Sequence, residues 1–457
     1  MNLKGKKILI VGAGISSFAA ARITKKAGAE VVLSDAKAES DIQADFTEMR
    51  ELGVGLVFGP QQESLLDGVD AVIVAPAVPV AIPLVQKAYA RGIRVLSEVE
   101  LAQELAQSPI LAITGTNGKT TTTTLTGLLM ETKFPKEKVG VAGNIGVPLS
   151  ETALKIGADG CIVAEISSFQ MEGSKHFHPH IAAVLNVTPD HIIRHKTMDV
   201  YQAMKEKIFA EQTASDFLVL NYDDARTRGM KERALSRVCY FSRREELAEG
   251  AFVRDNRLVI RWDGQEYPLC AVDELGIRGG HNVENALAAS AIAFLAGCAP
   301  QAIVQVLKSF QGVEHRLEYV RTVAGVPYYN DSKATNTDSA EKALLSFPGH
   351  IILLAGGDDK MTDLTEFMGL VKERTDALIL IGDAAERFHK EAVKNGYPES
   401  QIFEAGYSME KAVSIAHDMA KEPQTVLLSP ACASFDMYDN MAVRGRDFKR
   451  LVMAMPE

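Results

Sequence analysis

Apolar runs of strand length alternate with amphipathic helical stretches along nearly the whole chain. The runs Ile8–Val11, Val31–Leu33, Val72–Val74, Ile110–Ile113, Cys161–Ala164, Ala182–Leu185, Ile351–Ala355, Ala377–Ile381 and Thr425–Leu428 are rich in Val, Ile and Leu. Such near-continuous runs predict strands covered by helices on both faces. The alternation itself predicts doubly wound parallel sheets. One segment departs from it. Ala251–Leu269 alternates polar and apolar residues around Asp255-Asn256 and Asp263-Gly264, which predicts a small antiparallel insert.

Helices are expected over Glu98–Gln107, Asp199–Ala210 and the long stretch Asn282–Phe310. A new strand–helix series restarts near Ser97 and again near Gln311. The expected domains are therefore 1–96, 97–310 and 311–457. A chain of 457 residues supports that number, since domains run at roughly 150 residues each. The fold class expected is α/β in three domains. The first is Rossmann-like, the second a P-loop ATPase-type domain carrying the antiparallel insert, and the third Rossmann-like again.

The formal net charge is -10. A binder of nucleic-acid backbone carries a basic face, so nucleic acid is not an expected partner, while a small anion in a local basic pocket is. The five cysteines, Cys161, Cys239, Cys270, Cys298 and Cys432, form no CxxC or Cys/His cluster. Neither a disulfide framework nor a structural zinc site is expected. The longest apolar stretches are short or broken by proline, so no membrane insertion is expected. The basic N-terminus runs straight into a glycine turn, which argues against a signal peptide. The expected setting is cytoplasmic.

The strongest chemical signal is Ile110-Leu-Ala-Ile-Thr-Gly115-Thr116-Asn117-Gly118-Lys119-Thr120-Thr121. A buried strand leads into a glycine-rich turn and then a threonine-rich helix. That order aims backbone N–H groups and a helix N-terminus at phosphate. Lys119 is in reach of β/γ-phosphates and the Thr120 hydroxyl of Mg²⁺. The first glycine of the full pattern is missing, with Ile113 in its place. ATP is the expected ligand.

A second glycine turn, Gly12-Ala13-Gly14-Ile15-Ser16-Ser17, is followed by Asp35 at the end of the next strand. Taken by itself it fits a nucleotide phosphate or ribose as well as it fits NAD. Glu165 and Asn186-Val-Thr188-Pro-Asp190-His191 stand after other strands. There Glu165 and His191 can converge on a second metal ion, although Mg²⁺ prefers oxygen ligands. Lys205 reads, by spacing alone, as a solvated helix lysine. Asn282 and Asn285 share a helix face, where capping competes with reading an adenine edge. Near the C-terminus Asn330–Asn336, Gly356–Lys360 and Ser429–Asp436 place polar groups at the rim of a parallel sheet. Lys333, Thr335, Lys360 and Ser434 there suit a carboxylate.

In this order, the segments Gly115–Thr120, Gly143-Asn144-Ile-Gly146, Glu165–Gln170, Asp190-His191, Tyr201–Lys205, His281–Asn285, His315-Arg316, Asn330–Asn336, Gly356–Lys360 and Ser429–Ser434 resemble the Mur ligase family over the whole chain. The resemblance implies ATP-dependent addition of D-glutamate to UDP-N-acetylmuramoyl-L-alanine through an acyl phosphate. It implies two Mg²⁺ ions and a carbamylated Lys205, with Thr120, Glu165 and His191 as the other metal positions. It assigns Gly14, Ile15, Ser16, Asp35, Ala77, Asn144 and His191 to the UDP-substrate. It assigns the phosphate loop with Asn282, Asn285, Arg316 and Asp331 to ATP. Lys333, Thr335, Lys360, Ser434 and Phe435 fall to D-glutamate, and Lys119, Glu165, His191 and Lys205 to catalysis. A monomer is expected. The chain departs from the family pattern at Ser17, Ala77, Ile193 and Met441. The alternatives are a sibling ligase, a folylpolyglutamate synthase-like ligase, a nucleotide-gated binding protein without ligation, and an NAD-dependent oxidoreductase built on Gly12–Asp35.

Overall fold

The computed structural model describes residues 3–42, 44–359 and 361–456, with only the backbone at 192 and 193. They form three sheets in two compact units. The first unit runs to Leu275 and includes Glu284–Ser309; the second joins Gly276–Val283 to the chain from Phe310 onward.

The first sheet contains β1 Lys7–Val11, β2 Glu30–Asp35, β3 Gly55–Phe58, β4 Ala71–Val74 and β5 Arg94–Ser97, all parallel, in the order β3-β2-β1-β4-β5. Alternate residues of β1 serve opposite faces. Ile8 and Ile10 enter one core with Leu33 and Leu96, and Leu9 and Val11 enter another with Val72 and Val85. Each such buried side chain contributes ~1.5–3 kcal/mol of hydrophobic stabilisation. The strand order reverses beside β1, where ligands of open α/β sheets bind.

The second sheet has nine strands: β6 Ile110–Thr114, β7 Val139–Gly143, β8 Cys161–Glu165, β9 Ile181–Val184, β10 Phe217–Asn221, β11 Arg237–Ser242, β12 Gly250–Arg254, β13 Arg257–Trp262 and β14 Gln265–Ala271. Its order is β14-β13-β12-β11-β10-β9-β6-β8-β7. The expected insert is β12–β14, antiparallel as predicted. It extends this sheet, because β12 pairs with β11. Its two turns hold Asp255, Asn256, Asp263 and Gly264 at positive φ, the geometry that favours these residue types in tight hairpins.

The third sheet joins β15 Glu318–Val323, β16 Val326–Asn330, β17 Ile351–Gly356, β18 Thr375–Ile381, β19 Ile402–Gly406 and β20 Thr425–Leu428 in the order β15-β16-β20-β17-β18-β19. Only the β15–β16 pair is antiparallel. Leu353, Leu378 and Phe367 pack on one face, and Leu354, Ile379 and Met409 on the other.

Two helix expectations change. Asn282–Phe310 is two helices, Gly280–Leu295 and Pro300–Ser309. Gly297 at φ 87° stops the first, and Pro300 starts the second, as the helix-end preferences of these residues dictate. The helix expected over Asp199–Ala210 is shorter, Met198–Glu206. No described helix is long and apolar enough to cross a membrane, and all five cysteines are buried and unpaired.

Candidate active site

The phosphate loop joins β6 to the helix Lys119–Met130. Gly118 caps that helix at φ 81°, and a Cβ there would meet Asn285 Oδ1 at 2.2 Å. Only glycine satisfies both conditions. Lys119 Nζ donates to the Gly115 and Thr116 carbonyls, each at 2.8 Å. Thr120 and Thr121 are buried in the first helical turn, and Thr122 Oγ1 donates to Asn285 Oδ1 at 3.2 Å when its proton is so placed.

Lys205 is not the solvated lysine that its spacing suggests. It is 2% exposed, because the helix Met198–Glu206 turns this side chain inward. Its Nζ donates to the Gly115 carbonyl at 2.8 Å and lies 4.4 Å from the centre of the Tyr201 ring. Burial lowers its pKa well below the ordinary lysine value, the Lys119 ammonium lowers it further, and Asp190 opposes both. Two lysine side chains thus converge on one carbonyl of the phosphate loop, one of them in an environment that favours the neutral amine.

Glu165 ends β8, 2% exposed. Asn144 Nδ2 donates to its Oε1 at 2.8 Å, and its Oε2 is buried without a hydrogen-bond partner. Gly143 must lack a side chain, since a Cβ would come within 2.3 Å of the Glu165 carbonyl. His191 stands on the loop after β9 at φ 53°. It pairs with Asp190 at 3.4 Å and lies 4.6 Å, centre to centre, from the Phe169 ring. The structure therefore brings His191 beside the segment that follows Glu165. Of Ile193 only the backbone, in the helix Ile192–His195, is described.

The sequence places Asn186 and Thr188 after a strand but gives them no role in holding the loop after β9. Asn117 N–H donates to Asn186 Oδ1 at 2.8 Å, and Asn186 Nδ2 returns a bond to the Asn117 carbonyl at 3.2 Å. Thr188 N–H donates to Thr116 Oγ1, whose hydroxyl donates to the Thr188 carbonyl, each at 3.1 Å. Asp224 accepts from Val187 N–H at 2.8 Å. The asparagine and threonine bonds zip residues 186 and 188 to the phosphate loop, and Asp224 holds Val187 between them.

A cavity of about 1000 Å³ opens beside the first sheet. It is lined by Gly14, Ile15, Ser16, Asp35 and Ala77, and, beyond strands of the second sheet, by Asn144 after β7 and Gln170 in the helix Ser168–Glu172. Gly12 is required there, because at φ 97° a Cβ would meet Val78 Cγ2 at 2.6 Å. Ser17, where a third glycine is expected, is buried in the helix Ile15–Lys26. Asp35 accepts from Ala13 N–H at 2.8 Å and Lys37 N–H at 2.9 Å; both its oxygens brace the turn.

In the second unit Asn282 Nδ2 donates to the Arg278 carbonyl at 2.8 Å, and Arg316 Nε is buried without a partner. Asp331 accepts from Ser429 Oγ at 2.8 Å and Leu317 N–H at 3.2 Å. Burial raises its pKa to about 6, against the opposing Arg316 charge and those bonds. Lys333, Thr335 and Ser434 lie on the loops after β16 and β20. Ser434 is buried and Phe435 is 72% exposed. Lys360 lies outside the described residues. Arg444, also unsignalled in sequence, is 1% exposed. It donates to the Ser332, Cys432 and Ala433 carbonyls and to Ser332 Oγ at 2.9–3.0 Å, tying the two loops together. Met441 joins them through its carbonyl, which accepts from Ser332 Oγ at 2.8 Å. Glu314, His315 and Glu318 also cluster, but Lys449 Nζ already bridges the two glutamates.

Comparison with known proteins finds one family in three successive segments of the chain. Residues 6–97 match the Mur ligase MurD-like N-terminal domain, 113–293 the Mur ligase middle domain, and 315–432 the Mur ligase glutamate ligase domain. The UDP-N-acetylmuramoylalanine–D-glutamate ligase of Thermoanaerobacter sp. strain X514 is 43% identical over 452 residues, covering 99% of each chain. That of Caldanaerobacter subterraneus subsp. tengcongensis is 44% identical over 453 residues, again covering 99% of each. Among solved structures, MurF of Acinetobacter baumannii aligns with a TM-score of 0.61 at 16% identity, covering 96% of this chain and 93% of that one. UDP-N-acetylmuramate-alanine ligase MurC of Thermotoga maritima aligns at 0.58 and 18%, covering 98% and 99%. These two alignments speak for the fold, and the full-length identities speak for kinship: the chain belongs to the Mur ligase family.

Proposed function

We propose that the chain is an ATP-dependent ligase that joins D-glutamate to UDP-N-acetylmuramoyl-L-alanine, giving an amide, ADP and phosphate in peptidoglycan synthesis. The observation that carries this reading is the 43% identity, end to end, with ligases of that name. The phosphate loop supports the use of ATP. An oxidoreductase built on the first glycine turn would leave that loop without a purpose.

The chemistry follows from the reactants. A carboxylate is a poor acyl donor, so ATP first converts the alanyl carboxylate to an acyl phosphate. The amine of D-glutamate then attacks, and phosphate leaves from a tetrahedral intermediate. Lys119 offsets charge on the transferring phosphoryl group, and the loop amides orient it. In this reading the phosphate loop, Asn282, Asn285, Arg316 and Asp331 hold ATP. Gly14, Ile15, Ser16, Asp35, Ala77, Asn144 and His191 face the UDP-substrate. Lys333, Thr335, Lys360, Ser434 and Phe435 receive D-glutamate. The corresponding domains are 1–96, 97–310 and 311–457.

The residues present fit magnesium. Glu165 Oε2 is a buried carboxylate oxygen without a partner, Thr120 supplies a hydroxyl, and His191 a ring nitrogen. Lys205 as an ammonium would repel a cation. As a neutral amine it adds CO₂, releasing one proton, and the carbamate so formed carries oxygen donors suited to Mg²⁺. Two ions held by Thr120, Glu165, His191 and carbamylated Lys205 would neutralise phosphate charge when bound. ATP and a UDP-sugar as substrates, with five unpaired thiols, support a cytoplasmic setting. All three substrate roles fall within one chain, which supports a monomer.

A coupled phosphate-release assay with mass spectrometry of the product tests the reading. D-glutamate should support turnover, and L-alanine, diaminopimelate, L-lysine and L-glutamate should not. Lys119→Ala should lose phosphate release by roughly a hundredfold or more. Unchanged release in that variant would refute the role given to the loop, and preference for another amino acid would identify a sibling ligase.

A further inference from the structure

Arg194 has no place in the chemistry above, yet it joins the Pro76-Ala77 wall of the large cavity to the helix that carries Gln170 on the other wall. It lies in the short helix Ile192–His195, three residues beyond His191. Its Nε and Nη2 donate to the two carboxylate oxygens of Glu172, each at 2.8 Å. Its Nη1 donates to the Ala77 carbonyl at 3.1 Å, and Nη2 also reaches the Pro76 carbonyl at 3.4 Å. The guanidinium lies 5.1 Å from the centre of the Phe169 ring.

These partners follow strands of two different sheets. Pro76 and Ala77 belong to the loop after β4 in the first sheet. Glu172 ends the helix Ser168–Glu172, which begins three residues after Glu165 in the second. Pro76 and Ala77 line the cavity together with Asn144 and Gln170. One guanidinium therefore ties the first-sheet wall to the element that follows the Glu165 strand. The pair is well shielded, with side-chain exposures of 20% for Arg194 and 11% for Glu172, so salt screens it less than a surface ion pair. A planar fork that meets both carboxylate oxygens and still has N–H groups for two carbonyls is specific to arginine.

We propose that Arg194 is a positioning residue that sets the spacing between the uridine diphosphate half of the cavity and its acyl half. The proposal rests on the reading that the substrate is UDP-N-acetylmuramoyl-L-alanine, which spans both halves. A ligand confined to one half does not sense that spacing. A ligand anchored in both does, because a shifted spacing lets it make only part of its contacts at once, which weakens its binding and raises KM.

The test compares Arg194→Ala, Arg194→Lys and Glu172→Gln with the native full-length chain. Turnover by the native chain in the same assay checks the substrate reading separately, so its failure is distinguishable from failure of the clamp. In Arg194→Ala the KM for the UDP-substrate should rise about tenfold or more, with KM for ATP and D-glutamate within about twofold. Calorimetric binding of UDP alone should change by less than about twofold. Glu172→Gln should move KM in the same direction, and combining it with Arg194→Ala should add little, since the two act as one pair. Arg194→Lys, which keeps the charge but loses the fork, should show a smaller rise; it also serves if the alanine variant does not fold. The proposal is overturned by an unchanged KM in Arg194→Ala or Arg194→Lys. It is equally overturned if UDP alone weakens as much as the full substrate, or if the Arg194 and Glu172 effects simply add.

Discussion

Lys205 and Glu165 illustrate how differently single residues reveal themselves. Glu165 was legible, because a carboxylate at the end of an apolar strand stands where α/β sheets bind ligands. Lys205 was not legible from its helix. Its burial depends on the phosphate loop beneath it, from which it is 90 positions distant, and no local periodicity carries that information. Only the family resemblance pointed to it. Burial and the nearby Lys119 favour its neutral amine, the form that adds CO₂. Enzyme kept in ¹³C-bicarbonate should therefore show a carbamate carbon signal that is absent from Lys205→Ala. The same variant should lose turnover by roughly a hundredfold or more if it removes a ligand of the phosphoryl-transfer metal. Small carboxylates such as formate should restore part of it while leaving the native chain unaffected. Full turnover in Lys205→Ala, or a signal that persists there, would sink the carbamate.

At the scale of elements, the strands and hairpins were readable and the long-range zippering was not. Runs such as Ile110–Ile113 and Ile351–Ala355 report burial on both faces. The Asp-Asn and Asp-Gly pairs report left-handed turns. Both are local signals. The bonds between Asn186 and Asn117 join positions 69 apart, and an asparagine after a strand looks like any loop residue. Yet that pair makes the β9 loop, which carries His191, and the phosphate loop behave as one element. Asn186→Ala removes a donor and an acceptor at once. Two hydrogen bonds of about 1 kcal/mol each predict a modest loss of stability. The catalytic effect should be larger, with kcat/KM for ATP lower by roughly tenfold to a hundredfold. Asn186→Asp keeps the acceptor for Asn117 N–H and should retain more activity than the alanine variant. Steady-state kinetics with ATP varied, alongside thermal unfolding, separates the two effects. Native ATP kinetics in Asn186→Ala would mean that the phosphate loop needs no such support.

For the whole molecule, a net charge of -10 argued against polymeric nucleic acid but was uninformative about individual pockets, because buried charges answer to their own surroundings. Two carboxylates in different units make this measurable. Asp216 is held by His178 Nε2, Thr213 N–H, His180 Nδ1 and Thr213 Oγ1. Burial would raise its pKa, but those bonds outweigh it and lower the value to about 2. Its stabilising contribution is complete above the ordinary aspartate range and is lost as pH falls toward 2. Asp331 has the opposite sign. With a pKa of about 6 in the fold and ~3.9 when unfolded, the folded state holds the proton more tightly. Stability from this group therefore falls as pH rises from about 4 to 6, then levels off. The difference of about two units corresponds to on the order of 3 kcal/mol between pH 4 and pH 7. Asp331→Asn cannot ionise and lacks this component. Denaturant unfolding followed by circular dichroism from pH 4 to 7 should show the variant gaining stability relative to the native chain by about that amount, even as its turnover with ATP falls. A stability gap that stays constant over this range would mean that Asp331 is already ionised at pH 4. The charge of Arg316 would then outweigh burial, and the second unit would hold an ion pair where a buried, reluctant acid is expected.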